Sequence, residues 1–177
     1  MVEEARLESS ENGLIPKGEG WYVLNARESR WFDSEQFGRW CHFEGDVRFR
    51  ELGINITRLE PGDVTCMYHG ESNQEDFLVL AGECVLIVEG QERPLEAWDF
   101  VHCPPWTEHV LVAGSGPCVF LAVGVRKDDD GLIYPVSEVA ARHGASVLEE
   151  TNTGKEAYAR FPKEIEQAYQ EGDLPDW

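Results

Sequence analysis

The stretch CMYHGESNQEDFLVLAGE, Cys66 to Glu83, decides how this chain reads. Between positions 69 and 76 it carries His69, Glu71, Glu75 and Asp76, and it then turns apolar. It reads as a polar segment that enters a half-buried strand. In a strand, alternate residues share a face, so His69 and Glu71 can point the same way. If the chain doubles back at Ser72-Asn73, Glu75 faces them across a hairpin, with Phe77 and Val79 continuing inward. Buried carboxylates are costly unless hydrogen bonds or a cation neutralise them, and a divalent metal does this directly.

Short strand-like runs extend in both directions. LGINITRL stops at Glu60-Pro61-Gly62-Asp63, a strong turn signal. VTCMYH, DFLVLAG and ECVLIVEG follow, then a tight turn at Gly90-Gln91, then AWDFVHCP and EHVLVAG. Gly114-Ser115-Gly116-Pro117 turns into CVFLAVGVR. Upstream, WYVL and FGRWCHFEGD also read as strands. Short strands with turns at near-regular spacing predict an all-β sandwich or barrel. VLIV and VFLAV are apolar on both faces, which predicts cover on both sides.

The expected organisation is a loose N-terminal arm over 1–20, a β-barrel over 21–127 and a helical extension over 128–177 packed on the barrel. The change of pattern comes at Asp128, Asp129, Asp130 and Gly131. PVSEVAARHG offers Ser137 as helix N-cap and Gly144 as stop. FPKEIEQAYQEG repeats the logic with Pro162 near its start and Gly172 past its end.

The second half of the candidate site lies in WDFVHCPPWTEH, where His109 follows a rigid turn and leads into VLVA. Together the two segments resemble the cupins. The first cupin motif runs Gly, His-x-His, Glu, Gly. Gly62, His69, Glu71, Glu75 and Gly82 follow that order, with Glu71 in place of the second histidine and one extra residue between Gly62 and His69. The second motif runs Gly, Pro-x-Gly, His, Asn. Trp98, Pro104-Pro105-Trp106, His109 and Ala113 fall in that register, so two tryptophans stand where the family has glycine.

The resemblance implies a double-stranded β-helix (jelly-roll) barrel with short C-terminal helices. It also implies a divalent metal, Fe, Mn, Ni or Zn, held by His69, Glu75 and His109, with Glu71 either a fourth ligand or a base beside the ion. Cupins include dioxygenases, decarboxylases, isomerases, epimerases and non-catalytic binders. The implied functions are therefore dioxygenase or isomerase/epimerase chemistry on a small oxygen-bearing molecule, or binding of a sugar or organic acid without turnover. A homodimer is implied in the same way.

Independently of the family, two imidazoles and one or two carboxylates without thiolate suit an open non-haem iron-type site. Strand alternation places Cys66 opposite His69. Met67, Phe77, Phe100 and Leu111 read as barrel filling, and His42, His102 and His143 as structural or surface residues. H-x-E also begins the zinc deaminase signature, but Pro117-Cys118 lacks the second cysteine that signature needs.

Charge and composition set the remaining limits. Thirty-four acidic residues against 15 basic give a net charge of −19, which repels phosphate backbones and argues against nucleic-acid binding. No apolar run suits a membrane span, and the acidic start does not resemble a signal peptide, so a cytoplasmic location is expected. Cys41, Cys66, Cys84, Cys103 and Cys118 are odd in number and widely spaced, which argues against a disulfide framework or a zinc ribbon. No arginine cluster for a phosphorylated sugar and no nucleotide loop is visible along the chain.

Overall fold

The computed structural model describes residues 1–127 and 131–176. The acidic turn expected at 128–130 and the terminal Trp177 lie outside the described residues.

In chain order the strands are β1 Arg6–Ser10, β2 Gly13–Lys17, β3 Trp31–Ser34, β4 Gly38–His42, β5 Leu52–Leu59, β6 Gly70–Glu71, β7 Glu75–Ala81, β8 Glu83–Val88, β9 Gln91–Glu96, β10 Phe100–Cys103, β11 His109–Ala113, β12 Cys118–Val125 and β13 Leu132–Ile133. Two four-residue helices follow, α1 Glu138–Ala141 and α2 Gly154–Ala157, and then β14 Ile165–Gln167. A seven-stranded sheet in the order β10-β7-β12-β5-β4-β3-β14 faces a three-stranded sheet, β11-β8-β9. Between them lies an apolar core that includes Leu59, Phe77, Val79, Leu86, Leu111 and Phe120. This is the expected all-β barrel. Phe77 and Leu111 fill it as expected, whereas Phe100 is exposed and Met67 packs with Tyr134, Val147 and Ala157 beneath the C-terminal segment.

Strand β9 is absent from the sequence reading because it is polar and contains Pro94, which cannot donate to a ladder. It lies at the edge of its sheet, where proline is tolerated. The N-terminal residues expected to be loose instead form the β1–β2 hairpin, closed around Glu11-Asn12 with Ser10 paired to Gly13. The Ser10 hydroxyl donates to the Gly13 carbonyl at 2.8 Å. Five paired positions and Gly13, whose φ of 131° eases the exit from the turn, outweigh the polar composition. WYVL is not a strand; Trp21 makes only an isolated bridge to Glu4.

The C-terminal segment divides the expectation. The Ser137 side chain caps α1 by accepting from the Ala140 amide. The second expected helix does not form: its centre is β14, which pairs antiparallel with β3 through Ile165–Asp33, Glu166–Phe32 and Gln167–Trp31. The free edge of β3 supplies backbone partners there, and helix propensity is too weak to compete. Arg39 ties down the end of the chain with two charged hydrogen bonds to Asp173, at 2.8 and 2.9 Å, and a third bond to the Ala168 carbonyl.

Candidate metal centre

Three strand starts converge at one end of the barrel. His69 and His109 lie opposite each other in an antiparallel bridge. His69 N–H donates to the His109 carbonyl at 3.2 Å and His109 N–H returns the bond at 2.8 Å. Glu75 opens β7, opposite Cys103 on β10 and Gly124 on β12. Gly124 leaves the carboxylate room, because a Cβ there would lie 3.2 Å from Glu75 Oε1.

The donor atoms of His69, Glu75 and His109 all lie within 4.8 Å of one another. Each imidazole commits its Nδ1 to the main chain, His69 to the Met67 carbonyl at 3.0 Å and His109 to the Thr107 carbonyl at 2.9 Å. A carbonyl can only accept, so Nδ1 carries the proton in both rings and Nε2 is directed inward. The two Nε2 atoms lie 3.7 Å (His69) and 3.1 Å (His109) from the same oxygen, Glu75 Oε2.

The electrostatics divide the two histidines. Burial lowers the His69 pKa, and repulsion from His109 lowers it further. Burial also acts against charged His109, but hydrogen bonds to Cys103 and Glu75 hold its pKa up to about 11. Burial would raise Glu75, yet the His109 hydrogen bond and the nearby imidazole charges keep it below its usual value. Neutral His69 therefore turns the lone pair of Nε2 toward a carboxylate oxygen. Two electron-rich atoms facing each other at 3.7 Å, with a third donor beside them, fit a cation between them.

Glu71 falls outside this cluster. Its backbone pairs with Leu132 in the β6–β13 ladder and accepts from Trp106 N–H. Its half-buried side chain lines a cavity of about 610 Å³ together with Glu75, Asn55 and Gly124. VTCMYH is not a strand but a bent, buried segment whose amides bond in turn to Gln36, Leu111, Ala145 and His109. Strand alternation therefore fails there: Cys66 Sγ lies 3.5 Å from His69 Nδ1 rather than on the opposite side. Burial pushes the Cys66 thiol up to about 11. Tyr134, whose ring lies 5.8 Å from that of His69, is a further neighbour that the spacing did not reveal.

Trp98 and Trp106, the tryptophans at the glycine positions of the motif, have φ of 78° and 68°. The backbone keeps the left-handed shape that glycine adopts freely, and the tryptophans bear the strain. The Trp106 ring lies against Gly131, which lines the cavity. A second cavity, of about 590 Å³, lies between β4, β5 and the α2 region and shares Asn55 with the first.

A double-layered β-barrel with two histidines and a glutamate at adjacent strand starts has the architecture of a cupin. The family described as Cupin domain matches residues 55–124, which include the whole triad. Residues 55–124 are therefore a cupin domain.

Two solved structures agree on the fold. The polyketide cyclase RemF from Streptomyces resistomycificus aligns with a TM-score of 0.52 at 14% identity, over 62% of this chain and 83% of that one. A predicted oxalate decarboxylase of Thermotoga maritima aligns with a TM-score of 0.51 at 20% identity, over 60% of this chain and all of that one. A protein of Acidithiobacillus ferrooxidans, described as a proposed sugar phosphate isomerase, shares 32% identity over 49% of this chain with a TM-score of 0.47; the alignment spans 57% of that protein. No curated protein matches the chain.

Proposed function

We propose that this cupin holds a divalent metal ion through His69, Glu75 and His109 and acts on a small oxygen-bearing organic molecule in the adjoining cavity. The observation that carries the reading is the convergence of both Nε2 atoms on one Glu75 oxygen, with both Nδ1 atoms fixed by carbonyls. Three protein ligands leave positions open on an octahedral ion. When bound, the ion supplies a Lewis acid that polarises an enol, hydroxyl or carboxylate oxygen.

The chain's own residues supply the rest. The cavity of about 610 Å³ admits a metabolite-sized ligand. Glu71 lines the cavity beside the cluster, which supports a role as the base that moves a proton on the bound molecule over that of a fourth ligand. Proton abstraction next to a polarised oxygen suits isomerase or epimerase chemistry, and iron in the same site would suit a dioxygenase. We expect a cytoplasmic homodimer, which light scattering on purified protein tests.

Elemental analysis of protein purified without chelator tests the metal. About one bound transition ion per chain is expected. Protein that neither carries nor takes up a divalent ion refutes the reading. A second reading, binding without turnover, draws on the tryptophans at two glycine positions of the motif, Trp98 and Trp106. A ligand found by thermal-shift screening and recovered unchanged would support it.

A further inference from the structure

The metal-site cavity is lined by three arginines, Arg48, Arg50 and Arg126, on a chain whose net charge is −19. The three are not equivalent. Arg126 is committed: both of its terminal nitrogens donate to the Glu44 carboxylate, and one also reaches the Phe49 carbonyl at 3.0 Å. Glu44 in turn accepts from the Phe49 amide at 2.7 Å, and the Arg126 amide donates to the Glu51 carbonyl at 2.9 Å. This paired charge therefore fastens the loop 43–51 to the end of β12 at the mouth.

The loop holds Arg48 and Arg50 on either side of the pinned Phe49. Arg48 forms no ion pair or hydrogen bond among the described residues. Arg50 has only Glu19, at 3.8 Å, with both side chains largely in solvent. Such a pair is weak and easily replaced. Among the described residues, two guanidinium groups thus line the cavity with no close partner beyond the exposed Glu19, and Arg48 acts on Glu44 only through its charge. Deeper in, Glu71 and Glu75 oppose them, but a bound divalent ion would offset those two charges.

We propose that Arg48 and Arg50 bind an acidic group of the ligand, a carboxylate or a phosphate, while its oxygen-bearing end reaches the metal centre. The planar fork of guanidinium matches either anion in bidentate fashion. Two neighbouring cations on an otherwise acidic protein also draw small anions toward this part of the surface. The proposal deepens the metal-site reading and rests on it for where the other end of the ligand lies.

The test is calorimetric titration of the protein as purified with inorganic phosphate and, separately, with succinate. Sodium chloride at matched ionic strength is the control, and metal content is measured on each sample. At least one anion should bind saturably beyond chloride, and Arg48→Gln/Arg50→Gln should weaken that binding at least tenfold with metal content unchanged. Saturation by phosphate alone assigns a phosphate ester, and saturation by succinate alone a carboxylate. The single change Arg48→Ala, checked by melting temperature, guards against misfolding of the double variant. Titrations indistinguishable from chloride, or a double variant that binds as tightly as the parent, overturn the proposal. Arginine-dependent anion binding in protein that takes up no metal would leave this proposal standing and refute the metal reading alone.

Discussion

His69 and His109 are joined twice: by two reciprocal main-chain hydrogen bonds, and by a shared approach of their Nε2 atoms to Glu75 Oε2. The main-chain bridge does not depend on either ring. His109→Ala is therefore expected to keep the barrel while lowering metal affinity more than about 100-fold, beyond the loss usual for an outer partner. Elemental analysis and far-ultraviolet circular dichroism check the two halves. Native-like spectra with stoichiometric metal would remove His109 from the ligand set, and His109→Gln repeats the test with less lost volume.

Metal binding should be opposed by acid. The ion must displace the proton that Glu75 holds on His109, whose pKa is raised to about 11. Uptake at neutral pH is expected to release close to one proton, and affinity should fall as pH falls. Calorimetry in buffers of different ionisation enthalpy measures the proton count; no release would contradict the charged His109.

Chelator-treated protein has its own pH profile. His109 is raised, so its contribution to stability is full below the ordinary value of 6.5 and is lost as pH rises toward about 11. Glu75 is lowered, so its contribution is present above 4.5 and is lost as pH falls through its depressed value. The two together predict greatest help from this pair between 4.5 and 6.5, read as a maximum in melting temperature that disappears in His109→Ala.

Gly124 is expected to matter for the metal rather than for the fold. A Cβ there meets Glu75 Oε1 at 3.2 Å, so Gly124→Val should turn the carboxylate and weaken metal binding roughly tenfold. Competition with a fluorescent chelator measures it. Unchanged affinity would show that Glu75 can ligate from another rotamer.

Asp173 is almost fully buried against Arg39. Asp173→Ala strips two of the charged hydrogen bonds from buried Arg39 and leaves it Asp33 at 2.8 Å, so it should cost about 3 kcal/mol, at the low end for a broken buried pair. That corresponds to a fall of roughly 6–12 °C in melting temperature for a chain of this size. A shift under about 2 °C would mean that water reaches the arginine.

The sequence by itself determined the barrel and the triad. Strands β5, β7, β8, β11 and β12 carry strong apolar runs bounded by turn residues, and burial in a two-sheet core holds them where those runs predict. His69, Glu75 and His109 were legible because the segments that carry them keep the order and register of two known motifs. Even the glycine positions taken by Trp98 and Trp106 keep left-handed backbone, since the turns require it whichever residue supplies it.

Tertiary structure decided the rest, wherever a distant partner outweighed a local preference. The unpaired edge of β3 drew 165–167 into a strand against its helical spacing. Backbone partners from four places bent VTCMYH and brought Cys66 to His69. The arginines at the mouth come from positions 48, 50 and 126, brought together only when Glu44 pairs with Arg126 and fastens the loop to β12. Periodicity and motifs record what a residue's neighbours in the chain require, and charge pairing across 82 positions leaves no trace in either.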